Sequence, residues 1–235
     1  ELRHRQGALE AERFANLREA LIEGDEQAPR TPLLHLVDPT RPINYGVLMP
    51  GPRHEDGIPL VEAGDVMRGP LELPELRRTE LAIEREFKRS RLRPGDLVMA
   101  IRGSIGAVQI LPGGTDIINV TRDAARISLD GHIALNTYVR HALSTRRVQD
   151  WLRLRILGSA VTGINIGDLR RVRVVRPALS VQRSRAAELD KAEAYLDEIA
   201  RLMGRSRALL VERRQAIITA AVTGRFDVAT AQNVA

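Results

Sequence analysis

The sequence predicts a mixed α/β (α+β) protein: one domain with a twisted sheet and flanking helices, followed by a long C-terminal coiled-coil helix. Three observations predict it. Residues 181–222 read as one long helix-forming stretch with apolar residues at alternating steps of three and four. Between residues 30 and 178, short β-like runs are separated by Gly and Pro turns. Two stretches of helical periodicity interrupt those runs.

Taken in order, residues 1–26 are an N-terminal helix and linker. Leu9, Phe14, Leu17 and Leu21 share a stripe amid Arg and Glu, and Gly24-Asp25-Glu26-Gln27-Ala28-Pro29 ends it. Residues 27–178 are the domain. Its expected strands are residues 33–37, 58–61, 97–101, 108–111, 117–120 and 172–175. One expected helix carries Leu135, Tyr138, Val139, Ala142 and Leu143; the other carries Val148, Leu152 and Ile156. Tyr138 and Trp151 sit in these apolar patterns and are expected in the core. Residues 179–225 form the long helix. Its seam runs Leu189, Ala192, Leu196, Ile199, Met203, Ser206, Leu210, Arg213, Ile217 and Ala220, imperfect at Ser206 and Arg213. Forty residues of helix span roughly 60 Å, too long to bury one stripe on a small domain. The seam therefore calls for another helix, from this chain, a second copy or another subunit. Gly224 is the natural stop, and residues 226–235 are a small, polar tail.

Composition narrows the partners. The 235 residues carry a formal charge of +6 and a sequence pI near 10.5. Lys88 and Lys191 are the only lysines, so the excess is arginine, whose planar fork suits phosphates and guanine edges. A GC-rich coding sequence would also enrich arginine. There is no cysteine, which excludes disulfides and thiolate metal sites. No secretory signal and no apolar run of membrane-spanning length is evident, so a cytoplasmic place away from membranes is expected. The first residue is Glu1 rather than Met, as at a processed or missing N-terminus.

An ordered set of short motifs resembles one family. Ile43-Asn44-Tyr45-Gly46 is followed by Gly57-Ile58-Pro59-Leu60-Val61 and Gly64-Asp65-Val66. Then come Gly95-Asp96-Leu97-Val98-Met99-Ala100-Ile101-Arg102-Gly103-Ser104-Ile105-Gly106, Gly158-Ser159, and Pro177 with Gln182 at the helix start. The helix ends in Arg213-Arg214-Gln215-Ala216-Ile217-Ile218 and Ala221-Val222-Thr223-Gly224. Over residues 33–228 this resembles the DNA specificity subunits of type I restriction-modification systems, with one target-recognition domain and its conserved helix.

The resemblance implies a reader of double-stranded DNA that performs no catalysis itself. Such a domain recognises half of a bipartite target, while the helix acts as spacer and docks methyltransferase (modification) subunits. It implies no cofactor on this chain, S-adenosylmethionine on the methyltransferase partner, and a separate motor-nuclease restriction subunit. Many relatives carry two domains and two helices. This chain fits either a half-length subunit that pairs with a second copy of itself or the second half of a longer one. Leu17-Arg18-Glu19-Ala20-Leu21-Ile22 echoes the phrase at residues 213–218 and favours the second. A coiled-coil protein-binding adaptor without sequence-specific DNA recognition is the alternative reading of the same seam.

Candidate DNA contacts follow from loop chemistry. Gly103 and Gly106 make a tight turn around Ser104, bringing Arg102 and backbone N–H groups towards a phosphate. Arg122 follows a strand end, Asn165 lies in a polar turn, and Asn44 with Tyr45 are placed in an exposed turn. Solvated loops remain the plain alternative at each. Arg146-Arg147 suits phosphate rather than bases. The partner-helix set is Leu189, Leu196, Ile199, Met203, Leu210 and Ile217.

Enzyme chemistry finds little support. Asp38-Pro39-Thr40 lacks the second proline and aromatic of an adenine methyltransferase motif, and no Gly-Lys-Ser/Thr occurs. Glu75 with Glu86-Phe87-Lys88 matches a nuclease string by letter, yet residues 79–91 are charge-dense and read as helix. His4, His35, His54, His132 and His141 show no metal-ligand spacing, so no metal is expected. Gly103-Ser104-Ile105-Gly106 lacks the nucleophile-elbow pattern.

Overall fold

Short strands, most of them with a buried residue, lie between two long helices, one near each end of the described chain. The computed structural model describes residues 2–103, 105–114, 117–157 and 163–223, without the side chains of residues 2–6 and 157. Ser104, Gly158-Ser159, Gly224 and the tail at residues 226–235 lie outside the described residues. In chain order the elements are α1 (Leu2–Glu23), β1 (Arg30–Pro32), β2 (Asn44–Tyr45), β3 (Ile58–Val61), α2 (Ala63–Arg68), β4 (Arg77–Thr79), α3 (Leu81–Arg85), β5 (Leu97–Ala100) and β6 (Val108–Ile110). There follow β7 (Asn119–Val120), β8 (Ala124–Ile127), α4 (Asn136–Leu143), α5 (Arg146–Leu157), α6 (Ile166–Arg171), β9 (Arg173–Val175) and α7 (Leu179–Val222). Short 3-10 turns cover Leu33–His35, Leu73–Glu75 and Lys88–Ser90.

The chain divides into two compact units. The larger holds residues 15–190, and the smaller joins the start of α1 to the later part of α7 from Lys191.

In the larger unit a four-stranded antiparallel sheet runs β2-β8-β5-β6. Its central strands β5 and β8 are buried at every residue, and all of those residues except Arg126 are apolar. A second sheet runs β4-β3-β7, with β3 antiparallel to β4 and parallel to β7. Val61, Val66, Leu76, Val98, Ile118 and Val120 belong to one core that joins the two sheets with α2. A two-stranded pair, β1 with β9, ties the start of the domain to its end.

Several expectations hold. The strand at 58–61 is found as read, β5 and β6 within a residue, and both domain helices are present. Others are corrected. Residues 33–37 are not a strand. Leu33 and Leu36 are buried while Leu34 and His35 are exposed, a period of three that suits the 3-10 turn there. The strand expected at 117–120 shortens to Asn119–Val120, and that at 172–175 begins at Arg173. Asn44 and Tyr45 are a strand rather than a turn, paired with Arg126 and Ala125 of β8.

A single buried side chain fixes the start of α7. Gln182 accepts a hydrogen bond from the Leu135 backbone N–H at 2.8 Å. Its amide donates to the Ile133 carbonyl at 3.1 Å and the Pro177 carbonyl at 2.9 Å. Tyr138, on α4, is buried and donates to the Val175 carbonyl at 3.1 Å. Burial pushes its hydroxyl up to about 12.

The helix α7 is 44 residues long, about 66 Å at 1.5 Å per residue. Along the expected seam, Leu189 is fully buried in the larger unit. Leu196, Ile199 and Met203 are half-buried in the smaller unit. There α1 supplies cover: a Cβ added at Gly7 would lie 3.5 Å from the Met203 sulfur. Leu210 and Ile217 are exposed. Among the described residues no helix is long and apolar enough to cross a membrane.

Candidate nucleic-acid interface

Four backbone segments of the larger unit converge beside β2 and the end of β8. Gly46 and Val47 donate to the Thr121 and Val120 carbonyls at 3.3 and 2.8 Å, and Arg122 donates back to Val47 at 2.9 Å. Ile101 and Arg102 both donate to the Asp123 carbonyl, at 2.9 and 3.2 Å. Ile164 then donates to Ile101 at 2.8 Å. Glycine is required at position 46, because a Cβ there would lie 1.8 Å from the Val120 carbonyl oxygen.

These ties build a cleft of about 240 Å³ lined by Tyr45, Leu48, Arg102, Arg122, Ile164 and Asn165, among others. Four of the six sequence candidates thus share one site. Arg122 stands at the tip of the turn closed by Ala124 N–H to the Thr121 carbonyl at 3.3 Å. Thr121 Oγ1 donates to the Asp123 carboxylate and stiffens that turn. Arg102 and Arg122 are exposed and make no ion pair among the described residues. Two free guanidinium groups and a half-open aromatic ring on a polar-rimmed cleft can grip a phosphate, a base edge or both.

The other two candidates differ. Asn44 is half-buried on β2 and does not line the cleft. Ser104 lies outside the described residues. Gly103 and Gly106 do adopt the positive φ expected of the turn, at 68° and 95°. However, the N–H groups of Ile105 and Gly106 are taken by Gly103 and Ala100 carbonyls, so neither is free for a ligand. Asn165 caps α6: its carbonyl accepts from Asp168 N–H at 2.8 Å and its amide donates to the Asp168 carboxylate at 2.7 Å. Leu48 and Ile164 were missed by sequence reasoning. The spacing from Tyr45 across the obligatory Gly46 is the signal that could have found Leu48.

A larger groove of about 1060 Å³ lies elsewhere on the same unit, lined by α5, α6 and the segment around Leu34. Trp151 is half-buried here rather than in the core, with the Arg155 guanidinium 4.8 Å from its ring centroid. Helix α5 turns Val148 and Leu152 inward, which leaves Trp151 and Leu154 at the rim. Arg147 lines this groove, while Arg146 is held by Asn16 at 2.8 Å and by Glu19. The nuclease-like letters do not form a site: Glu75, Glu86 and Lys88 are exposed, on 3-10 turns and a helix end.

No protein-family model matches the chain. In sequence it is similar to the type I restriction enzyme EcoBI specificity subunit of Escherichia coli, 29% identical over 201 residues, covering 86% of this chain and 42% of that protein. In fold it is similar to the HsdS subunit of Thermoanaerobacter tengcongensis, with a TM-score of 0.64 and 17% identity over 94% of this chain and 52% of that one. The type I restriction-modification S subunit of M. genitalium follows at 0.60 and 15% identity, covering 91% and 55%. A chain from a study of complex assembly and conformational transition of the type I system scores 0.63 at 18% identity, covering 93% and 55%. The chain therefore spans under half the length of that curated relative and about half of each solved structure. Sequence and fold alike place it beside type I specificity subunits.

Proposed function

We propose that this chain confers DNA sequence specificity in a type I restriction-modification system. The larger unit would read one half of a bipartite target, and α7 would serve as spacer and as the dock for methyltransferase subunits. The observation that carries this reading is the similarity to a specificity subunit over 86% of the chain. The shared cleft of Arg102, Arg122 and Tyr45 gives it a physical basis. An arginine fork can take guanine O6 and N7, and a misplaced base then leaves that fork unpaired. The chain works here without catalysing: methyl transfer from S-adenosylmethionine belongs to the methyltransferase partner, and cleavage to a separate motor-nuclease subunit. A soluble, cytoplasmic complex with duplex DNA is the setting. The second half of the target is read by another recognition domain, in a second copy or in the rest of a longer subunit.

The test is a change of target preference. Arg102→Ala and Arg122→Ala, each co-expressed with the methyltransferase subunit, are expected to relax methylation at one or more target positions. Removing a bidentate arginine–base pairing costs about 1–3 kcal/mol, roughly 5- to 150-fold in discrimination. Methylation mapping that returns the wild-type motif at wild-type extent for both variants would remove this cleft from the reading surface.

A further inference from the structure

A second cationic cleft lies at the other end of the β2–β8 pair. It measures about 590 Å³ and is lined by Arg41, Lys88, Arg89, Arg91, Arg93 and Arg126, among others. Two of these cations are neutralised. Asp96 grips Arg41 with both oxygens, at 2.9 and 2.7 Å. Glu84 grips Arg91 with both of its own, at 2.6 Å each. The other four have no carboxylate partner among the described residues.

Arg126 is the informative one. It is 3% exposed, yet its guanidinium donates only to carbonyls, Arg91 at 3.1 Å and Pro42 at 2.8 Å, and its Nε has no partner. The nearby carboxylates are already engaged: Asp96 holds Arg41 and the Arg93 N–H, and Asp38 holds Thr40. Burial, then the adjoining Arg41 charge, lowers the Arg126 pKa from its ordinary value. Asp96 and Asp38 act on it only from a distance, and a buried cation without a direct ion-pair partner is costly to keep. Above it, Lys88, Arg89 and Arg93 are exposed at the rim. An anion in the cleft would relieve that imbalance. Guanidinium forks from several sides match a tetrahedral oxyanion better than a planar carboxylate.

We propose that this cleft is a phosphate site, separate from the Arg102–Arg122 cleft, and that it takes a backbone phosphodiester of the bound duplex. The inference rests on reading the chain as a duplex binder. Arg126 and Arg122 are four residues apart, so their Cα atoms are at most about 14 Å from each other. In this proposal the bound duplex would engage both clefts, this one fixing register and the other meeting bases.

The experiment measures duplex affinity of the full chain across a salt series. Arg89→Gln/Arg93→Gln is compared with wild type and with Arg205→Gln/Arg207→Gln, which removes the same charge from exposed positions on α7. The expected result is a log–log salt slope shallower by about 0.9 for each phosphate no longer neutralised. The weakening should be equal on all duplex sequences, and the α7 control should keep the wild-type slope. An unchanged slope in Arg89→Gln/Arg93→Gln, beside a steep wild-type slope, overturns the site and leaves the duplex reading standing. Equal flattening in the α7 control assigns the effect to net charge and also overturns it. Wild type without salt-dependent duplex binding sinks the duplex reading and the site together. A rise in Tm with millimolar inorganic phosphate that Arg89→Gln/Arg93→Gln abolishes, beside unchanged duplex slopes, would make this a small-anion site and overturn the duplex assignment.

Discussion

Replacing Glu84 with alanine is expected to destabilise the larger unit by about 2–3 kcal/mol, below the full scale for breaking a buried ion pair because the Arg91 side chain left behind is 31% exposed. The carboxylate is fully buried. It receives two hydrogen bonds from Arg91 at 2.6 Å and one from the Asn119 amide at 3.0 Å. Asn119 also donates to the Phe87 carbonyl at 3.0 Å, and its own carbonyl accepts from Val120 N–H at 2.9 Å. The network fastens the Lys88–Ser90 turn to β7, and with it the rim of the second cationic cleft. Alanine takes the carboxylate from Arg91 and one of its two acceptors from the Asn119 amide.

Acid should reproduce part of this destabilisation. Burial alone would push the Glu84 carboxyl up, but hydrogen bonds from Arg91 and Asn119 outweigh it and hold it below the ordinary 4.5. A depressed carboxyl stabilises the fold above its unfolded pKa and loses that contribution as pH falls through the folded value. Wild type should therefore weaken below about pH 4.5, and Glu84→Gln should lack that component. Denaturant melts at neutral and acid pH measure both. A Glu84→Ala chain with wild-type stability would show the network to be dispensable.

Gln182→Ala is expected to cost about 3 kcal/mol and lower Tm by on the order of 10 °C. It leaves one N–H and two carbonyls without partners where the domain meets its long helix. Gln182→Glu should fare no better, because the carboxylate cannot donate to the Ile133 and Pro177 carbonyls. Thermal melts followed by circular dichroism read the effect. A Tm within about a degree of wild type would mean water replaces the amide, contrary to its burial.

The same residues mark what the sequence could and could not reveal. The long helix was legible because steps of three and four run from Leu189 to Ala220 with two breaks, and a period sustained that far outweighs local noise. Strand β3 was legible because Gly57 and Gly64 bracket a short apolar run, despite Pro59 within it. Strand β8 was not. Ala124-Ala125-Arg126-Ile127 has weak strand propensity, and an arginine at its third place reads as solvent-facing. Its burial on both faces is set by partners far along the chain, β2 and β5. The same holds for the sites. Arg102 and Arg122 were chosen singly from loop chemistry. Their convergence on one cleft comes from cross-chain hydrogen bonds through Asp123 and Val47, which no local pattern encodes. Gln182 was visible as a letter in a motif, but its three partners were not. The charge-dense segment at residues 79–91 read as helix. Glu84 and Arg91 in it are in fact tied to each other, and Lys88 and Arg89 line the cleft of the buried Arg126.

The most direct measurement is adenine-methylation mapping in cells that carry a type I methyltransferase subunit, with and without this chain co-expressed. The account predicts methylation at a split motif that appears only when the chain is present, with both proteins co-purifying. A motif that persists without the chain, or a stable complex with no motif-specific methylation, would contradict it.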